Sequence, residues 1–182
     1  MIRRESHQAP PNFLVEATSM RHELPLLYLE DLSVGDEWRS PGRTITEADI
    51  VAFAGISGDF NPLHVDHEFA RTTPFRGPIA HGLLGLAVAS GLASQAPRIA
   101  TLAFLEIVDW KFHHPIAPGD TIHTLTRVES IEPRARGRRG LVTWLRRIVN
   151  QADRTVQEGH TKTMVRGRPR PLSDGAAEAD DD

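Results

Sequence analysis

Residues 79–94 read IAHGLLGLAVASGLAS, from Ile79 to Ser94. The period is helical, and no face of that helix carries a polar stripe. A helix without a polar face is buried on all sides. Gly82, Gly85 and Gly91 each cost such a helix about 1 kcal/mol relative to alanine, so their presence implies that something packs closely against it. The apolar run as far as Ala96 also raises the question of a membrane span. It contains His81, Ser90, Ser94 and Gln95, lies between Pro78 and Pro97, and lacks basic or aromatic flanks. A span needs about 20 predominantly apolar residues. A core helix fits better, and no membrane partner is expected.

The segments around this helix complete the plan. On the N-terminal side, Gly35-Asp36 is a turn signal and Glu37 to Thr44 reads as a strand. Thr46 is a good helix N-cap, with Asp49 at the capping-box position. Ile50, Val51, Phe53 and Ala54 then follow helical spacing, and the helix should stop between Gly55 and Gly58. Ser57 to Pro78 is rich in Gly, Asn, Asp and Pro and reads as a structured loop, with a short helical piece around His67 to Ala70. On the C-terminal side, Thr101 to His113 and Thr121 to Ile131 read as strands, separated by the turn Pro118-Gly119-Asp120. A basic loop follows from Pro133 to Gly140. Leu141 to Asn150 and Thr155 to Val165 form a hairpin turning near Ala152 and Asp153. A strand, a buried helix and then several antiparallel strands make an α+β domain whose antiparallel sheet wraps around one long helix.

Bulk properties narrow the function classes. The chain has 182 residues, 40% hydrophobic and 25% charged, with a formal net charge of −3. One globular domain suits that length. The near-neutral balance gives no reason to expect nucleic acid or an anionic membrane as partner. There is no cysteine, which excludes disulfides, thiolate nucleophiles and cysteine metal sites. The start, MIRRESHQAPPNF, has no apolar run after its charges and does not read as a signal peptide; a cytoplasmic location is expected. Residues 1–25 read as an N-terminal extension, 26–168 as the domain, and 169–182 as a disordered acidic tail by composition. No internal repeat is visible.

Two stretches carry chemistry: Ser57-Gly58-Asp59-Phe60-Asn61-Pro62-Leu63-His64 and Phe75-Arg76-Gly77-Pro78-Ile79-Ala80-His81-Gly82. Asp59 and His64 are separated by an Asn-Pro step that favours a turn, which can make the two side chains face each other. An imidazole can take and return protons near neutrality, and a carboxylate can orient it or share a water with it. The same residues also fit a plain turn in which Asp59 caps an amide and His64 packs. Gly82 stands at the start of the long helix, where the first N–H groups lack partners at the positive end of the dipole. A glycine there admits a ligand oxygen on which negative charge develops, or simply permits tight packing.

Taken jointly, the run ITEADIVAFAGISGDFNPLHVDHEFA followed by FRGPIAHGLL resembles the signature of MaoC-like dehydratases and (R)-specific enoyl-CoA hydratases. The family core is Ser-Gly-Asp-x-Asn-Pro-x-His, then Ala or Val followed by His-Gly-x-Leu. Asp59, Asn61, Pro62 and His64 match the first part; Ala80, His81, Gly82 and Leu84 match the second. The resemblance spans about residues 26–168, and its specific part runs from Thr46 to Leu84. It implies a single hot-dog fold and a hydro-lyase acting on an enoyl or 3-hydroxyacyl thioester, in that family usually of CoA. In that reading Asp59 and His64 handle the water, Gly82 N–H receives the thioester oxygen, and Ser57, Asn61 and His81 belong to the substrate site. It implies no cofactor and at least a homodimer, since such domains join their sheets.

Other features receive blander readings. Arg134, Arg136, Arg138 and Arg139 could meet CoA phosphates, but a solvated hairpin tip is preferred. His113 and His114, as strand neighbours, should point to opposite faces. His64 and Asp66 would share a face if extended, yet no further ligand is evident, so no metal is expected. Trp110, Phe112 and Trp144 read as sheet core or acyl-pocket lining. Two rivals share the fold: a hot-dog thioesterase, which lacks both motifs, and a non-catalytic acyl-binding protein, against which the retention of Asp59 and His64 argues.

Overall fold

The computed structural model describes residues 24–169. Nearly all of the acidic tail and of the N-terminal extension lies outside these residues. The large sheet is antiparallel, in the order β2 (Glu37–Arg39), β6 (Thr121–Arg134), β7 (Arg139–Val149), β8 (Thr155–Arg166) and β5 (Thr101–Phe112); β3 (Arg43–Thr44) also pairs with β6. A short parallel pair, β1 (Leu26–Leu27) and β4 (Arg98–Ile99), stands apart from it. The helices are α1 (Glu47–Ser57), α2 (Pro62–Val65), α3 (His67–Arg71) and α4 (Gly82–Ala93). This is the α+β, hot-dog arrangement expected: one long helix held in a wrapped antiparallel sheet.

The long strands form where β-branched residues alternate. Along β6, Ile122, Thr124, Thr126 and Val128 are buried on one face while their neighbours are more exposed, the period-2 signature of a strand with one covered face. Helix α4 lies on that face. Leu84, Val88 and Leu92 pack with Ile45, Ile50, Ile122, Ile148 and Val156, and Thr124 Oγ1 donates to Ala89 O at 3.2 Å. Each fully buried Ile or Val there contributes about 1.5–3 kcal/mol. A second cluster continues the same face beyond the helix. There Leu29 and Leu32 cover Val128, Val142, Trp144 and Val165, and Trp144 Nε1 donates to Thr163 Oγ1 at 2.8 Å.

Helix α1 follows its signals closely. Thr46 Oγ1 accepts from Asp49 N at 3.2 Å, and Thr46 N donates back to Asp49 Oδ2 at 2.8 Å. Gly58 closes the helix at φ 75°, a left-handed conformation that glycine adopts at no steric cost.

Four expectations need correction. The strand from Glu37 to Thr44 is broken into β2 and β3, because Pro41 has no N–H to donate and Gly42 lies against the His123 ring, 2.7 Å from where a Cβ would stand. The basic loop is shorter than expected. Strands β6 and β7 run on to Arg134 and from Arg139, leaving a tight turn over Ala135–Gly137. Helix α4 starts at Gly82 rather than Ile79 and is not buried on all sides, since Leu83 is 62% exposed. Of its glycines, Gly82 and Gly85 face close neighbours, but Gly91 has open space around it.

Candidate active site

The loop between α1 and α4 carries the candidate residues, and local hydrogen bonds shape it. Ser57 Oγ donates to Phe53 O at 2.7 Å and accepts from Asp59 N at 3.2 Å. Asp59 Oδ1 accepts from Asn61 N at 3.2 Å. Asn61 Oδ1 accepts from Leu63 N at 3.0 Å and so caps α2, with Pro62 at the first helical position. Ser57 and Asn61 thus spend their side chains bracing the loop, as does the Asx turn of Asp59. Helix α2 was missed in the sequence because Asn-Pro reads equally as a turn; an N-cap followed by proline was the available signal. Within it His64 is helical, and Asp66 is the N-cap of α3 rather than an extended neighbour.

The fold brings Asp59, His64 and His81 together. A carboxylate oxygen of Asp59 and one ring nitrogen of each histidine lie within 4.8 Å of one another, a span that one water can bridge. His64 Nδ1 lies 2.7 Å from Ile79 O. A carbonyl only accepts, so Nδ1 carries the hydrogen, and in the neutral ring Nε2 holds the lone pair. His81 Nε2 lies 2.9 Å from Asp59 O and donates to it in the same way, which leaves its buried Nδ1 without a partner. The two imidazoles stack, with centroids 3.7 Å apart and planes tilted by 27°. In-plane lone pairs on rings stacked like this do not converge on one point at a metal–ligand distance of about 2.0 Å, so the trio is not arranged around an ion.

His64 and Gly82 line a cavity of about 350 Å³, with Phe75, Phe112, His113 and Gln157. Asp59 is exposed and stands outside that lining. Gly82 N–H, the first amide of α4, has no acceptor among the described residues. A Cβ on Gly82 would sit 2.7 Å from Phe112 Cε1. Beneath the helix start lies a residue that the sequence did not mark. Gln157 is 2% exposed; its Nε2 donates to Gly82 O at 3.1 Å, and its Oε1 accepts from Trp110 Nε1 at 3.1 Å. Gly85 is required there too, since a Cβ would collide with the Gln157 amide.

The remaining candidates divide between this cavity and the rest of the fold. Phe112 lines it, Trp110 packs beside the α4 core, and Trp144 is fully buried in the second cluster. His113 and His114 line the same cavity instead of pointing to opposite faces, because β5 ends at Phe112 and both follow its last residue. His113 Nε2 pairs with Glu158 at 3.0 Å. Burial, with the charges of Arg154 and His113 adding to it, holds the His114 imidazole below its usual pKa. Arg134, Arg136, Arg138 and Arg139 are exposed at the β6–β7 tip. Along β7 that tip is roughly 30 Å from Ile148, which pairs with Gln157, at 3.3 Å per residue.

A sheet wrapped on one helix, with an Asp–His pair whose histidine shares a cavity with the helix's first residue, defines a class that sequence comparison then identifies. The MaoC-like domain family matches residues 32–145, and the chain belongs to that family. It is 35% identical over 147 residues to the (R)-specific enoyl-CoA hydratase of Rhodospirillum rubrum, covering 80% of this chain and 96% of that one. The 3-hydroxybutyryl-CoA dehydratase of Methylorubrum extorquens is 35% identical over 118 residues, 64% of this chain and 73% of the relative. Among solved structures, the MaoC-like dehydratase from Rhodospirillum rubrum superposes with a TM-score of 0.72 at 34% identity, over 79% of this chain and 99% of that chain. A Mycobacterium tuberculosis protein described as a double hotdog fold superposes at 0.70 with 29% identity, over 86% of this chain and 48% of that chain. No helix among the described residues is long and apolar enough to cross a membrane.

Proposed function

We propose that the protein is a hydro-lyase that adds water to a 2-enoyl thioester, or removes it from the 3-hydroxyacyl product, with CoA as the carrier. The observation that carries this reading is that Asp59 and His64 converge, while His64 shares a cavity with Gly82, whose N–H has no acceptor among the described residues. Water held between the carboxylate and His64 Nε2 attacks C3. As the new C–O bond forms, the dyad takes one proton from the water. The π electrons of the C2–C3 bond shift toward the thioester, and its carbonyl oxygen takes negative charge. Gly82 N–H stabilises that oxygen at the positive end of α4; one such donor is worth about 3 kcal/mol. The enolate then collapses, and the proton held by the dyad is delivered to C2. Water has been added with no other reactant consumed. Proton handling of this kind contributes about 10²- to 10⁴-fold.

The relatives named as hydratase and dehydratase support the same chemistry run in either direction. The working unit is a homodimer or larger assembly. Strand β5 is a sheet edge, and Phe104, Leu105 and Ile107 on it are about half exposed. An apolar edge of that length is a template for pairing with another chain.

The test is hydration of crotonyl-CoA, followed as loss of the conjugated-thioester absorbance, with free thiol measured in parallel. The wild-type chain should hydrate without releasing thiol. Asp59→Asn and His64→Gln should fold and lose most of the activity. Near-native turnover in either variant removes that residue from the reaction, and thiol release in its place makes the protein a thioesterase.

A further inference from the structure

A second cavity, of about 260 Å³, lies between α4 and the sheet on the β5 side. Its lining includes Leu86, Ser90, Phe104, Trp110, Arg146 and Thr161. It adjoins the cavity described above. Leu83 on its wall follows Gly82 in α4, and Trp110 on its wall holds Gln157 of the other. Ile148 pairs with Gln157 and Arg146 pairs with Gly159, so Arg146 lies one strand repeat, about 7 Å, further along the same face. Gly159, the partner of Arg146, makes room there for Trp110. A Cβ there would sit 2.7 Å from Trp110 Cε3.

Arg146 is the one charged member of a mostly apolar lining. It is half-buried on the face that α4 covers. Its Nε donates to Thr161 Oγ1 at 2.9 Å and its Nη1 to Thr126 Oγ1 at 3.2 Å, while the guanidinium lies 5.6 Å from the Trp144 ring centroid. All of these partners are neutral. No carboxylate pairs with it, and Nη2 makes no hydrogen bond among the described residues. Ser90 Oγ on the same wall is likewise without a hydrogen bond there. Burial brings the Arg146 pKa down to about 10, so the group is still charged at neutral pH. A cation taken out of water without a counter-charge is costly, and a guanidinium fork matches a carboxylate in shape as well as charge.

We infer that Arg146 is a specificity-determining residue that receives a carboxylate at the far end of the acyl group, so that the preferred substrates are thioesters of dicarboxylic acids. This rests on the hydro-lyase reading for the placement of the thioester at Gly82. The acyl chain runs from there past Gln157 and Trp110 and ends between Nη2 and Ser90. A methyl end would leave the arginine with its charge uncompensated, which is how a polar site rejects an analogue lacking the matching group.

The experiment is calorimetric titration of the full chain with two saturated thioesters that it cannot turn over, succinyl-CoA and butyryl-CoA. The wild-type chain should bind succinyl-CoA at least tenfold more tightly. Arg146→Met should bring that ratio close to one, and Arg146→Lys, which keeps a charge but loses the fork, should leave an intermediate ratio. Equal affinities in the wild type, no binding of either, or an unchanged ratio in a folded Arg146→Met chain would overturn the inference. If Arg146→Met does not fold, the wild-type and Arg146→Lys ratios decide. The ratio needs no catalysis, so a chain that hydrates neither crotonyl-CoA nor the dicarboxylic fumaryl-CoA yet prefers succinyl-CoA would refute the hydro-lyase reading and leave the carboxylate site standing.

Discussion

His81 lies stacked against His64, ring to ring at 3.7 Å, while its own Nε2 holds the Asp59 carbonyl at 2.9 Å. One buried side chain therefore touches both members of the proposed dyad, supporting one ring and tethering the other residue's backbone. His81→Phe separates these duties. A phenyl ring keeps the stacking surface and removes an Nδ1 that has no partner; trading a partly satisfied buried polar group for an apolar one of similar shape costs little stability. The Asp59 tether is lost. Hydration of crotonyl-CoA should fall on the order of 10²-fold, as for a small misplacement of a reacting group, with thermal stability close to wild type. Full activity would reduce His81 to packing.

The α1 cap gives a stability prediction with a defined pH dependence. Thr46→Ala should cost about 1 kcal/mol in urea unfolding. The Thr46 backbone N–H, then its hydroxyl, holds the Asp49 carboxyl below the usual value, with Arg43 adding to the effect. A lowered folded-state pKa means stabilisation that is complete above the unfolded value of about 3.9 and is lost as pH falls through the folded one. The stability gap between wild type and Asp49→Asn should be flat from about pH 5 to pH 7 and narrow below about pH 4.

Gly82→Ala tests whether the helix start is needed for the reaction or only for packing. The new methyl would meet the Phe112 ring, so the ring must turn away, at a cost of about 1–3 kcal/mol. Adding Phe112→Leu should restore stability by removing the ring. Turnover should stay low in the double variant, since the methyl still blocks approach to the amide; recovery of both together would assign Gly82 to packing alone.

The sheet edge predicts the assembly. Leu105→Glu places a charge on β5 at a residue 51% exposed in the single chain. Light scattering after size exclusion should read a dimer or larger for the wild type and a monomer for the variant. A monomeric wild-type chain would count against pairing through this edge.

Much of this fold was legible because its signals are local. Thr46, Asp49 and Gly58 bound α1 within the chain itself, and the alternation in β6 and β8 needs no partner to be seen. The misses are non-local. The break at Pro41 and Gly42 depends on His123, and Gln157 acquires its role only from Gly82 and Trp110, which are far from it in sequence. Helix α4 misled for another reason. Its stripe with Leu83, Ala87 and Gly91 carries no charged side chain, so the pattern implied burial that a single chain does not provide. Asp59, His64 and Gly82 stood out as motif residues, whereas the approach of Asp59 to His64 required the turn at Asn61-Pro62.

Gln157 joins Trp110, on the outermost strand, to the carbonyl of Gly82 through two hydrogen bonds. Any shift of β5 as it docks is thereby passed, by one rigid amide, to the peptide that begins the long helix. An isolated subunit could hold every reactive group and still be out of tune, its first amide a fraction of an ångström from where the oxygen needs it. Assembly would then set the rate as well as the architecture.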